Sequence, residues 1–305
     1  MHAETEKLLG TLEILCSNAF IWEPIYQGEF NLWNLMISQR FVNLTDIELA
    51  FEHWQNIEEW GTPTNQKEYG EYAPTRSERK DNNWNQNIAA ERQEYYQKIQ
   101  HILTKNCQNL QAYSLSIPKS NHQSFEWGHP DFSVSILVAE THNNNWLCLA
   151  PTVPDQVSYN RRKTNPATTK IVREKSATLA DESLITEIQS FLDHLTSITI
   201  YGYYHGGYNY TYQHHLVGAY AKTKISAIEL ALQAAAIVMI EKLTVEYAND
   251  GYNSRKLSQF MNQCLQHCTL YTISFWDIGY TYEVGQTPAG DWIGVHSTSE
   301  FEYNP

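Results

Sequence analysis

The sequence lacks the short motifs that mark common nucleotide-binding and catalytic sites. It contains no G-x-x-x-x-G-K-[ST], no G-x-G-x-x-G, no H-E-x-x-H and no G-x-S-x-G, and it has no pair of Cys-x-x-Cys units. These motifs serve phosphate binding, dinucleotide binding, metal-assisted proteolysis, nucleophilic hydrolysis and zinc binding. Their absence favours a protein that is not an enzyme, and the sequence predicts no catalytic residue, no metal site and no cofactor.

Cysteine is scarce, and long hydrophobic runs are missing. Cys107, Cys264 and Cys268 fall at apolar positions of predicted helices and Cys148 falls in a predicted strand, which is typical of buried free thiols. Such thiols favour a reducing, cytoplasmic compartment. The first residues show no apolar signal core, and the longest apolar run, within 230–240, is far shorter than the ~20 residues that cross a bilayer. We therefore expect no membrane contact.

Positive charge is scarce as well. The chain has 21 Lys and Arg residues against 34 Asp and Glu residues, which gives a net charge of −13. Acidic residues dominate 1–155 and 177–305, whereas the segment 156–176 is basic. Acidic lobes lack the basic face that nucleic-acid binding needs, and they attract basic protein partners. Alternatively, the acidity only keeps the protein soluble.

Two segments about 146 residues apart repeat one pattern, and this period is too long for a solenoid unit. Val138–Thr141 and Trp146–Leu149 flank one polar turn, and Val284–Thr287 and Trp292–Val295 flank the other. An amphipathic helical pattern precedes each hairpin. The sequence therefore predicts a duplicated α+β domain with mainly antiparallel strands, present as a first copy at 1–155, a basic linker at 156–176 and a second copy at 177–305. The two lobes are expected to form a pseudo-symmetric pair within one chain.

Local periodicity predicts the remaining elements. A helical stripe predicts helices at about 4–18, 86–109 and 225–247. Alternation of apolar and polar residues predicts a strand at Phe30–Leu35. Asp181 is expected to cap the first helix of the second copy.

The strongest hairpin signal is Ile198–His205, Gly206-Gly207 and Tyr208–His215, with a third strand predicted at about 216–222 beside it. A two-residue turn sets Tyr201 opposite Tyr212 and places aromatic and histidine side chains on one face. These residues are Tyr201, Tyr203, His205, Tyr208, Tyr210, Tyr212 and His214. That face is interpreted in three ways: as buried beneath a helix, as an exposed contact surface, or as a ligand or metal site using His205, Tyr210 and His214.

Three stretches resemble one known family. Ala19–Trp33, with Glu23 in a loop, is similar to an opening strand and acidic loop. Glu94–Leu103 and Asn109–Leu115 are similar to a long helix and the strand that leaves it. Tyr282–Thr298 is close to a terminal hairpin. Together these stretches resemble the nuclease A inhibitor family.

The resemblance implies a three-layer α/β/α sandwich for each copy. Members of that family plug the active site of a non-specific, Mg²⁺-dependent nuclease, and an acidic loop residue and the C-terminal residue approach the nuclease metal. Glu23 matches the acidic position. The first copy does not end the chain, and the second copy runs on through Glu300–Pro305 and has no counterpart of Glu23.

The leading functional hypothesis is a non-enzymatic protein-interaction module that resembles an acidic inhibitor of a basic, metal-dependent nuclease. One alternative is an inhibitor fold that binds another protein partner or associates with itself. Another is a small-ligand or metal-binding protein that uses the hairpin rich in Tyr and His. The residues predicted to bind the partner are Glu23, Tyr201, Tyr203, His205, Tyr208, Tyr210 and Tyr212.

Overall fold

A computed structural model describes most of the chain. The described residues are 2–60, 85–118, 133–152, 171–174, 179–195, 197–202, 210–244, 254–275 and 278–300. The helices are α1 (Ala3–Leu15), α2 (Pro24–Gln27), α3 (Leu32–Ser38), α4 (Ile47–Trp60), α5 (Gln86–Asn106), α6 (Leu179–His194), α7 (Lys224–Ala234) and α8 (Ser254–Cys264). No helix in these ranges is long and apolar enough to cross a membrane.

The strands form two large sheets and one isolated pair. They are β1 (Ala19–Ile21), β2 (Val42–Thr45), β3 (Cys107–Ser116), β4 (Ser133–Thr141), β5 (Trp146–Pro151), β6 (Ile171–Arg173), β7 (Ile198–Gly202), β8 (Tyr210–His214), β9 (Leu216–Ala221), β10 (Val238–Lys242), β11 (Gln266–Phe275), β12 (Ile278–Gln286) and β13 (Trp292–Glu300). Sheet A has the order β1-β13-β12-β11-β10, and sheet B has the order β2-β3-β4-β5-β9-β6. Strands β7 and β8 pair only with each other in the described residues.

Neighbouring strands in both sheets are antiparallel except for β6 and β9, which run parallel. The predicted α+β class with mainly antiparallel sheets is therefore confirmed. Polar side chains start several of the helices: Asn31 accepts a hydrogen bond from Asn34 N at 2.8 Å, and Asn85 accepts one from Ile88 N at 3.1 Å. These contacts satisfy backbone donors that a helix start leaves unpaired.

Three hydrophobic cores hold the layers together. The inner core joins both sheets, with Tyr280 of sheet A, Ile136 of sheet B, and Leu35 of α3 and Ala231 of α7 all buried in it. A second core packs α4, α5 and α6 onto sheet B, and a third packs α1 and α8 onto sheet A. Each sheet therefore has one face in the shared inner core and one face covered by its own helices.

The two halves of the chain share backbone details that go beyond the sequence repeat. Each has a helix followed by a strand with a bulge in its pairing to the next strand. Asn109 and His267 lie in these bulges with positive φ values of 51° and 52°. The hairpin turns also agree, since Thr141 N donates to Asn145 O at 2.7 Å and Thr287 N donates to Asp291 O at 2.7 Å.

The ends of α3 and α7 agree in the same way. Each helix ends at a non-glycine residue in the left-handed region, Arg40 with φ 65° and Ala236 with φ 61°. Phe41 N donates to Met36 O at 2.9 Å, and Ile237 N donates to Leu232 O at 3.0 Å, as in a Schellman motif. Short edge strands, β2 and β10, follow. These shared features are what a duplication predicts, and the duplication itself stays a prediction.

The halves exchange strands. β1 comes from the first half and pairs with β13, with Ala19 opposite Val295. β9 comes from the second half and pairs with β5, with Gly218 opposite Leu149. Strand β6, at the end of the predicted linker 156–176, is also part of sheet B, while linker residues 156–170 lie outside the described residues. A division at 156–176 therefore does not separate the two sheets.

Polar side chains link one helix of each half, α1 or α6, to the hairpin turn of the other half. Thr5 of α1 is fully buried and donates to Asp291 Oδ2 at 2.6 Å. Asp181 of α6 is buried and accepts from Asn143 Nδ2 at 3.0 Å and from Asn145 Nδ2 at 2.9 Å. The helix residue is thus the donor in one half and the acceptor in the other. Asp181 was predicted to cap α6, but it lies within the first turn of that helix.

Three local predictions were wrong. Phe30–Leu35 is not a strand: Asn31 caps α3, and Leu32, Leu35 and Met36 are buried at helical spacing. The strand predicted at 216–222 is β9, but it joins sheet B and not the hairpin. The helix predicted at 225–247 ends at Ala234, because Ala236 turns the chain into β10.

The strand exchange predicts that neither half folds alone. We expect separately produced fragments 1–160 and 161–305 to be unfolded by circular dichroism, because each exposes the inner core and leaves a long strand edge unpaired. Mixed or co-expressed, they should form a folded 1:1 complex. Two independently folded monomeric fragments that do not associate would contradict the exchange.

The reversed polar contacts predict a strong charge effect at the first hairpin. Asn145→Asp should destabilise the protein by about 2–4 kcal/mol, because it sets a second carboxylate against buried Asp181 and removes a hydrogen bond. Adding Asp181→Thr, which copies the arrangement of Thr5 and Asp291, should recover part of that loss. Urea denaturation of the wild type, the two single variants and the double variant measures the interaction free energy between positions 145 and 181. If the two substitutions change the free energy of unfolding additively, the two positions do not interact.

Candidate functional site

The acidic residue predicted from sequence lies on an exposed loop. Glu23 is exposed and immediately precedes the single turn of α2. Ile25 and Tyr26 on that turn have 92% and 81% of their surface exposed. Single exposed apolar side chains occur elsewhere on the chain, as at Ile14 and Leu44, but here two lie next to each other beside an acidic residue, which suits a contact surface. We call residues 23–29 the acidic loop.

The base of the acidic loop is held firmly. Trp22 is buried in the inner core and donates from Nε1 to Gly28 O at 2.9 Å. Glu23 N donates to Gln27 Oε1 at 2.7 Å. Phe30, just after the loop, stacks on Trp292 with 4.5 Å between ring centroids. The exposed side chains therefore project from a backbone that is fixed at both ends.

The second half has no counterpart of the acidic loop. After β9 only Lys222 and Thr223 precede α7, whereas residues 22–31 separate β1 from α3. The connection between strand and helix is therefore longer in the first half than in the second. Binding residues are commonly carried by loops that a rigid framework positions, so the acidic loop is a functional candidate.

The register of the hairpin differs from the predicted one at Tyr201. Tyr201 lies opposite Thr211, and Ile200 lies opposite Tyr212. The register is one residue away from the predicted one, and a one-residue shift moves a side chain to the other face of the strand pair. Tyr201 is therefore on the opposite face from Tyr210 and Tyr212, and the predicted pairing of Tyr201 with Tyr212 was wrong.

Tyr203, His205, Tyr208 and the Gly206-Gly207 turn lie outside the described residues. Their predicted role in partner binding stays a prediction. The side chains of Tyr201, Tyr210 and Tyr212 are likewise not described, although their strand positions are.

A buried polar cluster, which the sequence analysis did not identify, lies between α4, α5 and β8. Glu58 has no exposed surface, Arg92 is 2% exposed, and Tyr96 and His214 are also buried. Glu58 Oε1 accepts from Arg92 Nε at 2.8 Å and also from Tyr96 OH, and it forms an ion pair with Arg92 Nη2 at 2.7 Å. We call these four residues the buried cluster.

His214 meets this cluster from the hairpin side. Its Nδ1 lies 2.5 Å from Thr152 O, so Nδ1 carries the proton and donates to that carbonyl. Its Nε2 lies 3.8 Å from Glu58 Oε1. Burial lowers the pKa of His214 to about 3, and the positive charge of Arg92 contributes to that shift. Burial also raises the pKa of Glu58, while Arg92 opposes the rise.

The sequence does carry a signal for part of this cluster. Arg92, Tyr96, Ile99 and Leu103 follow one another at helical spacing, and all four are buried on the inner face of α5. An arginine that continues an apolar stripe needs a buried acidic partner. No local pattern, however, identifies Glu58 or His214 as that partner, because the contacts span long separations.

Metal binding finds no support in the described ranges, where no group of three or more His, Cys, Asp or Glu side chains is arranged around a common point. The five cysteines form no disulfide, and Cys107, Cys148 and Cys268 are buried. Burial raises the pKa of Cys107 to about 11, which keeps that thiol protonated and unreactive at neutral pH.

Comparison of the chain with protein-family models, curated proteins and solved structures gives no match. The resemblance to nuclease A inhibitors therefore rests on the sequence stretches quoted above.

Gly28 tests whether the acidic loop is held by its backbone. Its φ of +73° is strained for other residues, and an added Cβ meets Asn34 Nδ2 at 3.3 Å. Gly28→Ala should destabilise the protein by about 1–3 kcal/mol. Gly10→Ala in α1 is the matched control, because a Cβ there meets nothing within 4 Å, and it should be neutral or stabilising. Equal thermal unfolding midpoints for the two variants would contradict a backbone-held loop.

Proposed function

We propose that this chain is a non-enzymatic protein-binding module whose contact surface is the acidic loop. The carrying observation is the loop itself: Glu23, Ile25 and Tyr26 are exposed together on a base fixed by Trp22 and Gly28. A preformed loop loses little conformational entropy on binding, so its contacts translate efficiently into affinity. One carboxylate beside two large apolar side chains suits a cleft that is apolar at its wall and cationic at its floor.

The charge of the chain supports a basic partner. A net charge of −13 gives long-range attraction that accelerates encounter with a basic protein and weakens at high salt. The loop also carries Glu29, which is exposed like Glu23. The resemblance to nuclease A inhibitors names the class of partner: a non-specific, Mg²⁺-dependent nuclease whose active site the loop enters.

The two alternative functions have less support. The hairpin face was predicted from a pairing of Tyr201 with Tyr212, whereas Tyr201 pairs with Thr211. A ligand site built on His214 needs an accessible imidazole, whereas His214 is fully buried. The acidic loop is therefore the surface on which the proposal depends.

The proposal predicts inhibition of Mg²⁺-dependent nuclease activity by the wild-type protein. DNA cleavage in a native lysate with added Mg²⁺ should fall when the purified protein is added. Glu23→Gln, which keeps the side-chain size, should weaken inhibition and reduce its salt dependence. Ile25→Ser combined with Tyr26→Ser should weaken it at least about tenfold, as expected for central contact residues.

Ile14→Ser is the matched control for this experiment. Ile14 is 86% exposed but lies in the last turn of α1, before β1, whereas the loop follows β1. This variant should inhibit like the wild type. Unchanged nuclease activity with wild-type protein would reject the nuclease as the partner. Equal effects of the control and loop variants would reject the loop as the contact surface.

A further inference from the structure

The buried cluster contains an unresolved hydrogen-bond conflict. Among the described residues, Glu58 Oε2 and His214 Nε2 are both buried and have no hydrogen-bond partner. A carboxylate oxygen can only accept, and Nε2 can only accept because Nδ1 already carries the ring proton. Two buried acceptors, on side chains that approach to 3.8 Å through Nε2 and Oε1, therefore have no donor.

We propose that the folded protein keeps one proton shared between the Glu58 carboxyl group and His214 Nε2 at neutral pH. The proton converts one of the two groups into a donor for the other, so the conflict disappears. His214 Nε2 lies 3.8 Å from Glu58 Oε1, so the ring and the carboxyl group face each other within the buried cluster. The shared proton then joins α4 to β8 directly.

The balance of costs favours uptake of the proton. Burial raises the pKa of the Glu58 carboxyl group and lowers that of His214, so the proton resides more readily on Glu58, which then donates to His214 Nε2. Leaving two buried acceptors without a donor costs free energy that the shared proton recovers. Arg92 opposes the uptake, because its ion pair with Glu58 at 2.7 Å favours the ionised carboxylate.

The groups that face the pair come from three directions. Arg92 and Tyr96 approach from α5, with the pKa of Tyr96 raised well above its usual value by burial. His215 follows His214 in the chain and adds a weak influence that lowers the pKa of His214. Thr152, just after β5, accepts from His214 Nδ1. The pair therefore titrates as one unit in an otherwise fixed setting.

The sign of the pH dependence follows from counting protons. Above pH 6.5 the unfolded pair holds less than one proton, because the ordinary pKa values of Glu and His are about 4.3 and 6.5. The folded pair still holds one. Stability must then fall as pH rises above 6.5 until the folded pair loses its proton. A neutral His214 beside an ionised Glu58 gives no such fall above pH 7.

Glu58→Gln provides the decisive variant. Its carbonyl oxygen can accept from Arg92 and Tyr96, and its amide can donate to His214 Nε2, so no proton is required. Urea denaturation from pH 7 to pH 9 should show the folding equilibrium of the wild type weakening by up to about tenfold per pH unit relative to Glu58→Gln. Other titrating groups are common to both proteins and cancel in the comparison. Identical pH profiles would overturn the proposal.

If Glu58→Gln does not fold, the nitrogen NMR chemical shift of His214 Nε2 in the wild type provides a second test. A shared proton at pH 7 gives His214 Nε2 the chemical shift of a protonated or strongly hydrogen-bonded nitrogen, with a slowly exchanging proton. A bare Nε2, or one hydrogen-bonded to a buried water, gives the shift of an unprotonated ring nitrogen, and that result would also overturn the proposal. Faster amide exchange in β8 at pH 9 than at pH 7 is expected in addition.

Discussion

The pairing of exchanged strands is the constraint on which the structure depends. β5 and β13 each end a hairpin of their own half, and each has a second long edge to satisfy. In both cases the strand that covers this edge, β9 or β1, comes from the other half. A buried strand edge without a partner leaves a row of unpaired backbone groups, so neither sheet can be completed unless the other is present.

The exchange also explains how two similar halves come to carry different sites. The helix ends, bulges and hairpin turns match because the shared sheets need them, and substitutions there would disturb pairing. Segments between these elements are free to differ. The acidic loop occupies such a segment between β1 and α3 in the first half, whereas Lys222 and Thr223 are enough for the same connection in the second.

Sequence reasoning succeeded where the pattern was local and failed where the answer depended on a distant partner. Helices α1 and α5 and the hairpins β4–β5 and β12–β13 follow from periodicity and turn residues, whereas the loop position of Glu23 came from the family resemblance. The register of β7 with β8 depends on how His214 is buried against α4 and α5, which no local pattern reports. The same limit applies to β9, whose apolar residues suit any sheet interior, since all six of them are buried.

Burial of His214 links the hairpin to the rest of the fold. Ile198 and His214 are opposite each other at the open end of the β7–β8 hairpin, and both are fully buried. We call this pair the root of the hairpin. Beyond that root the pair makes no strand contact with either sheet in the described residues. A two-stranded hairpin is marginally stable without such support. The hydrogen bond from His214 Nδ1 to Thr152 O and the burial of Ile198 and His214 therefore attach this end of the hairpin to the core.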